Sequence, residues 1–329
     1  MEANMINTME PQIDVIIPIY KPGETLKGLL DKLMSQSVLP HHIYLLQTIE
    51  EGEEELFSSE YERVSVHTVK KKDFDHGATR NYGAGLAIKG SQQANSEKSY
   101  LLYMTQDAVP VDEYLLEKLW EPFRDPRTGI SYARQLPREQ ADIVEKLTRL
   151  HNYPPQNQIK TKESLENLGI KTYFCSDVCA MYRKDIYQEM GGFVYPTIFN
   201  EDMIMASKVI QGGYQVVYTA EAKVIHSHSY TCMQQFHRNF DLGVSQKQYS
   251  DVFRGISSEK EGAGYASSLL VYLLKKGKIG KAFYFALQCG FKLLGYQLGK
   301  RYDKLPAKMV SLCTMSPGYV LFTKRGKNG

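Results

Sequence analysis

Residues Ser99 to Pro110 read "SYLLYMTQDAVP". An apolar and aromatic run gives way to Thr105, Gln106 and Asp107, and "VDEYLLEKL" behind it resumes with the spacing of a helix. A short apolar run bounded by polar residues is a buried strand. The carboxylate of Asp107 is then either a helix-start residue or a tool held at the open end of a sheet. Three runs upstream have the same strand character: "IDVIIPIY" (13–20), "HIYLLQT" (42–48) and "VSVHTV" (64–69). Between them "ETLKGLLDKLMSQ" (24–36) carries apolar residues at three-four spacing, and "GATRNYGAGLAIKGS" (77–91) reads as a helix starting near Gly77. This alternation predicts an α/β fold, a mostly parallel sheet with helices on both faces. Asp107 then falls at the carboxyl end of a central parallel strand, outside which open α/β sheets bind ligands. Position alone leaves both readings of Asp107 open.

Downstream, "DPRTGISYARQLP" reads as a strand between turns and "ADIVEKLTRLHNY" as a helix. "VCAMYRKDIYQEMGGF" reads as strand, helix and a glycine stop, and "NEDMIMASKVIQGGY" as a helix ending at Gly212 and Gly213. "QVVYTAEAKVIHSHSY" supplies one or two last strands, and the chain beyond Thr231 is helical and basic to about Leu305. The 329 residues suit one large domain with an appendage, and 43% hydrophobic content supports a real core. A net charge of +3 gives no reason to expect nucleic acid. Five scattered cysteines form no disulfide framework, so a reducing cytoplasm is the expected setting. The start, "MEANMINTMEPQ", has neither the basic nor the apolar part of a signal peptide, and no apolar stretch reaches about 18 uncharged residues.

Polar clusters follow several of the strands. "FDHGATRN" follows the third, "NEDM" opens a helix, and "HSHS" follows the last. Strand-end acids and histidines with an arginine on a glycine-started helix fit a metal and a diphosphate: the metal neutralises phosphate oxygens and the arginine pairs with them as a fork. The ordered set "VIIPIYK", "DHGATRN", "TQDAVP", "NEDM" and "VIHSHSY" resembles the inverting GT-A glycosyltransferases of family 2, over about residues 13 to 245. Within them it is most similar to bacterial rhamnosyltransferases that build surface polysaccharide.

The resemblance implies a nucleotide-sugar-binding catalytic domain over residues 1–230 and a helical, basic region over 231–329 that serves the acceptor side or touches membrane. It implies a divalent metal, Mg2+ or Mn2+, and a nucleotide-sugar donor, dTDP-rhamnose in this branch. Pro18, Tyr20, Thr48 and Glu50 match the nucleotide side of the donor site. Asp75, Gly77, Arg80 and Asn81 match the diphosphate segment, with Arg80 meeting phosphate or bracing the donor loop. Asp107 matches the metal-binding acid, flanked by Gln106 and Ala108 where the family usually carries Asp-x-Asp, and Gln106 and Asp107 also belong to the implied donor site. Asn200 to Asp202 match the segment of the catalytic base. A sugar hydroxyl is a poor nucleophile, so a carboxylate must take its proton as it attacks opposite the leaving diphosphate. Asp202 is the expected base and Glu201 its support; the alternative is that both are helix-start acids favoured by the dipole. His226 and His228, two apart on a strand-like segment, would face one side and complete the metal or diphosphate site, or else are an ordinary histidine pair. A zinc site from these histidines with Cys232, Cys175 and Cys179 matches no standard spacing. Arg238, in "FHRNFDLG", borders the acceptor side or forms a surface ion pair.

From Ser268 to Lys308 there are nine Lys or Arg residues, one acid (Asp303), and interleaved Leu, Phe and Tyr. Such a segment lies on an anionic membrane surface, or packs on the catalytic domain or a second copy. The implied acceptor is a glycan or a lipid-linked sugar, and the implied location is the cytoplasm, peripheral on the inner face of the plasma membrane. Two other functions stay open. One is a non-catalytic nucleotide-sugar-binding subunit, favoured by the missing second acid of Asp-x-Asp. The other is a different α/β nucleotide enzyme such as a nucleotidyltransferase, disfavoured because "YKPGETLKG" has neither P-loop nor Rossmann glycine spacing.

Overall fold

The structure, a computed structural model, describes residues 10–53, 57–90, 99–253 and 258–319. The first nine residues, Ser91, and the last ten residues of the carboxy-terminal region lie outside these. The strands are β1 (Gln12–Tyr20), β2 (His42–Ile49), β3 (Val64–Lys70), β4 (Ser99–Met104), β5 (Val109–Pro110), β6 (Thr128–Leu136), β7 (Gln158–Lys160), β8 (Cys179–Arg183) and β9 (Gln215–Ile225). The helices are α1 (Glu24–Met34), α2 (His76–Gly90), α3 (Leu115–Trp120), α4 (Ile143–Asn152), α5 (Leu165–Leu168), α6 (Lys184–Glu189) and α7 (Glu201–Gln211). The carboxy-terminal helices are α8 (Cys232–Gln248), α9 (Ser250–Phe253), α10 (Ser258–Lys275), α11 (Ile279–Gly299) and α12 (Ala307–Cys313).

The strands form one sheet in the order β3-β2-β1-β4-β8-β6-β9-β5, with β7 on β9. The first four strands are parallel, as the alternation predicts. Strand β8 is antiparallel to both β4 and β6, and β6 pairs parallel with β9. Two reversals restore the direction of β4, so the carboxyl ends of β1, β2, β4, β6 and β9 share one rim. The beginning of β8 shares it too. "QVVYTAEAKVI" is one strand, and the chain leaves it just before His226.

Strand β1 is buried on both faces, which is why it is a nearly unbroken Val/Ile run. Ile13, Val15 and Ile17 belong to the core under α1 and α3, whereas Ile16 belongs to the core on the opposite face, with Ala84 and Ala87 of α2. Gly83 allows α2 to lie flat on the sheet, since a Cβ there would stand 2.5 Å from Ile16 Cγ2. The buried Asp14 is held by Lys184 Nζ at 2.9 Å and His41 Nδ1 at 2.8 Å, at the end of the sheet away from the rim.

Helix α8 starts at a capping box, Thr231 with Gln234, and lies backbone to backbone on α11. Added Cβ atoms at Gly243, Gly295 and Gly299 would come 2.4, 2.2 and 2.1 Å from the carbonyl oxygens of Tyr296, Phe236 and Phe240. The α10–α11 hairpin packs Leu269, Leu273, Ala282 and Phe285 against Ile143, Val144 and Leu147 of α4. The carboxy-terminal helices are thereby tied to the connection that follows β6. Among the described residues no helix is long and apolar enough to cross a membrane.

This crossing generates a stability prediction. Gly295→Ala and Gly299→Ala should each lower the unfolding free energy by about 1–3 kcal/mol, because rigid backbone must move apart. Gly290→Ala, on the same helix with no heavy atom within 4 Å of its added Cβ, should be neutral or gain up to about 1 kcal/mol from helix propensity. Denaturant titration of the three variants decides it; equal effects at all three positions would refute the close crossing.

Candidate active site

The rim carries a cleft of about 1030 Å³, bordered by Thr105, Gln106, Asp107, Asp202, His226 and His228 among others. Gln106 explains half of the polar break after β4. Its amide clasps the backbone of Tyr20, accepting from the Tyr20 N–H at 2.8 Å and donating to the Tyr20 carbonyl at 3.1 Å. The turn is closed by the Ala108 N–H on the Thr105 carbonyl at 3.1 Å. With the end of β4 locked to the end of β1, Asp107 is left facing the cleft.

His226 and His228 meet Asp107 there. Their Nε2 atoms lie 3.6 and 3.2 Å from Asp107 Oδ2 and 2.8 Å from each other. The strand ends at Ile225, so neither histidine lies on it as the alternation suggests, yet both rings reach one side. The His226 N–H still bonds the Leu136 carbonyl at 2.9 Å, and Glu145 Oε1 then accepts from Ser227 Oγ at 2.5 Å and the His228 N–H at 3.0 Å. That bend turns the second ring back over the first, the planes crossing at 88°.

These three residues fit a metal ion. Gln135 donates its amide to Ser176 Oγ at 2.9 Å, which aims Gln135 Oε1 at His226 Nδ1, 2.9 Å away. His226 therefore carries its proton on Nδ1 and turns the lone pair of Nε2 into the cleft. Burial drives its pKa down to about 3, so the ring stays neutral, as a ligand must. His228 is shifted the same way by burial. Two imidazole nitrogens and a carboxylate oxygen, all within 4.8 Å of one another, leave room for one shared cation. Bound there, a divalent metal supplies charge stabilisation for a leaving diphosphate.

The "DHGATRN" segment is placed differently from a phosphate clamp. Arg80 turns inward, with Nε 3.1 Å from Asp177 Oδ2 and Nη1 3.1 Å from Glu201 Oε1. Asp75 accepts from the N–H groups of Ala78 at 2.8 Å and Thr197 at 2.7 Å. Asn81 holds both the N–H and the carbonyl of Phe193, at 2.9 Å each. Gly77 is tight because a Cβ would stand 2.0 Å from the Val194 carbonyl, so its close approach is to the chain itself. None of the four borders the cleft. Together they brace residues 191–201, the approach to α7.

That approach sets the two acids of "NED". Asn200 sits at φ 65°, a left-handed conformation that asparagine tolerates, and its amide donates to Ser245 Oγ at 3.2 Å. Glu201 points inward to Arg80, while Asp202 borders the cleft. Asp202 accepts from the Asp177 N–H at 3.3 Å and the Met203 N–H at 2.7 Å. Burial, followed by the charges of Glu201 and Asp177, holds its pKa well above the usual carboxylate range. Burial likewise raises Asp177 to about 7 despite Arg80, and Tyr182 Oη donates to it at 2.6 Å. A desolvated carboxylate on the cleft wall is a strong proton acceptor once ionised.

On the other side of Gln106, Tyr20 donates its hydroxyl to Glu50, and Lys71 and Lys21 approach Glu50 Oε1 at 2.8 and 3.2 Å. Lys71, with help from Tyr20 and Lys21, pulls the exposed Glu50 down to about 2. Thr48 is buried beside Tyr20, and Pro18 pairs with Leu46 inside the ladder. Arg238 lies in the cleft wall with its guanidinium 4.6 Å over Phe199 and 5.6 Å over Tyr230. Sequence reasoning did not single out Lys71, Gln135, Glu145 or Asp177. None of them stands in a motif with a spacing of its own, and only the fold brings each to the rim.

Residues 14–191 match the model of glycosyl transferase family 2. The chain is 34% identical over 311 residues to the O-antigen chain rhamnosyltransferase RfbN of Salmonella typhimurium, covering 94% of this chain and 96% of the relative. It is 32% identical over 313 residues to the O-antigen chain rhamnosyltransferase WbaN of Salmonella anatum, with the same coverage. Among solved structures, the mannosyltransferase PcManGT from Pyrobaculum calidifontis, in complex with GDP-Man and Mn2+, has a similar fold with a TM-score of 0.56. That match is at 13% identity and covers 90% of this chain and 87% of the other. Motifs, rim geometry and similarity over most of its length agree: the chain belongs to glycosyl transferase family 2, with a GT-A fold and a helical carboxy-terminal region.

Proposed function

We propose that this protein transfers L-rhamnose, with inversion, from dTDP-rhamnose to a glycan or lipid-linked acceptor in the synthesis of a cell-surface polysaccharide. The observation that carries the proposal is the pairing on one cleft of a candidate metal triad, Asp107, His226 and His228, with a desolvated carboxylate, Asp202. The likeness over nearly full length to two O-antigen chain rhamnosyltransferases supports the sugar. The nucleotide is assigned to the Tyr20–Glu50 end of the rim, with Thr48 beneath it. Asp202 takes the proton of the acceptor hydroxyl, and Glu201 with Arg80 positions it. Between the two expected metals, two imidazole ligands favour Mn2+, since Mg2+ takes oxygen ligands almost exclusively.

The setting proposed is the cytoplasmic face of the plasma membrane, touched by α11. Phe283, Leu287, Leu293 and Leu294 are 68, 43, 57 and 55% exposed. The lysines around them would meet anionic headgroups.

Three measurements test these assignments. Asp107→Asn should weaken Mn2+ binding at least about tenfold by calorimetry without lowering the melting temperature; unchanged affinity would remove Asp107 from the metal site. Asp202→Asn should cut turnover by about 10² to 10⁴ while donor affinity holds. Ionised Asp202 is the active form and its pKa is raised, so turnover should climb with pH through a limb above the ordinary carboxylate range. Glu201→Gln removes a neighbouring negative charge, so that limb should move to lower pH; a limb that stays put would show that Asp202 is not the titrating base. Finally, Phe283→Ser with Leu287→Ser should release the protein from vesicles rich in phosphatidylglycerol, and salt should weaken wild-type binding. Wild-type protein that ignores such vesicles at low salt would dismiss the membrane contact.

A further inference from the structure

Four cations line the cleft beyond the candidate metal triad; Lys281 pairs with Asp142, which leaves three, Arg149 on α4, Arg238 on α8 and Lys292 on α11. Among the described residues none of them has a carboxylate within ion-pair reach. Arg149 donates to Gln135 and lies 6.0 Å from the Tyr153 ring. Arg238 lies over Phe199 and Tyr230, which fixes its plane and leaves its N–H edges open. Lys292 is half-buried with no hydrogen-bond partner among the described residues, and burial together with Arg238 depresses its pKa. The acids of the cleft have partners of their own: Asp142 with Lys281, Glu145 through Oε1 with Ser227 and the His228 N–H while its Oε2 has no partner, and Asp202 with two backbone N–H groups. Three cations gathered on one cleft wall with no carboxylate to offset them favour a ligand dense in anionic oxygens.

The donor's diphosphate belongs beside Asp107, between the nucleotide end and the histidines. The three cations stand past β6 and β9, on elements remote from Tyr20 and Glu50. The cleft, at about 1030 Å³, is also at the upper end of the usual range for a single small-molecule site. Helix α11 has two unlike faces: Lys281, Gln288 and Lys292 border the cleft, whereas Phe283, Leu287 and Leu294 line an apolar groove of about 370 Å³ on the far side. A helix is about 10–12 Å across, so a phosphate at Lys292 would sit one helix width from that groove. We propose that Arg149, Arg238 and Lys292 form a second anion site, which binds the phosphate or diphosphate of a lipid-linked acceptor. This rests on the glycosyl-transfer reading for the word acceptor, and on the cleft alone for the anion.

The probe is farnesyl diphosphate, titrated calorimetrically into the full-length protein with EDTA present. Wild-type protein should bind it, more weakly as salt rises, and should bind farnesol far less. Lys292→Gln and Arg149→Gln should each weaken binding about tenfold or more with unchanged melting temperatures, and Lys292→Arg should restore it. A nucleoside diphosphate with Mn2+ should leave this binding in place. Absence of binding overturns the site, and displacement by the nucleotide would return these cations to the donor. Kinetically, Lys292→Gln should lower the preference for a diphosphate-linked acceptor over an alkyl glycoside of the same sugar; an equal loss on both would mark a structural role. If wild-type protein binds farnesyl diphosphate but turns over no rhamnose donor, the donor reading fails and the anion site stands.

Discussion

The rim depends on one buried cation. Arg80 reaches from α2 to Asp177, just before β8, and to Glu201, the first residue of α7. Three carboxylates, those of Asp177, Glu201 and Asp202, crowd into a region largely shut from water, and Arg80 is the guanidinium that offsets them. Removing one partner of such a buried set typically costs about 3–5 kcal/mol, because an uncompensated charge stays behind. The rest of "DHGATRN" serves the same end. Asp75, Gly77 and Asn81 fasten the loop that delivers α7, so Arg80 always finds Glu201 in the same place.

The consequence for chemistry follows from helix geometry. Successive residues on a helix point about 100° apart, so Glu201 and Asp202 cannot both enter the cleft. Arg80 draws Glu201 inward, and Asp202 is thereby turned to the cleft side with its basicity raised by burial and then by the two acids behind it. The left-handed Asn200 and its bond to Ser245 of α8 set the angle from the other direction. One charge arrangement thus sets the position of Asp202 and adds to burial in raising its pKa.

The strands, their alternation with helices, and the place of Asp107 were legible because apolar runs and three-four spacing report burial directly. The direction of β8 was not, since "CAMYR" is as apolar as a parallel strand and carries no sign of its partner's direction. Arg80 was expected either at a phosphate or as a brace, and a sequence cannot say which way a guanidinium points. The two histidines were found by their spacing, although the bend that joins their rings comes from Glu145, a helix residue 80 or so positions upstream. Arg149 and Lys292 were invisible for a related reason. Each sits in an amphipathic helix, where a basic residue normally marks the solvent side.

The carboxy-terminal helices are more than an appendage to this cleft. Gly243, Gly295 and Gly299 let α8 and α11 approach to backbone contact, which fixes the rotation of α11 about its axis. That rotation decides which residues face the cleft and which face outward. Lys292 and Gln288 point to the cleft, and Phe283 and Leu287 point away, as parts of one rigid helix. A surface that settles the outer face on a membrane would therefore also set the orientation of the inner face. The small residues at the crossing couple the two, because a larger side chain would rotate or lift the helix and disturb both faces together.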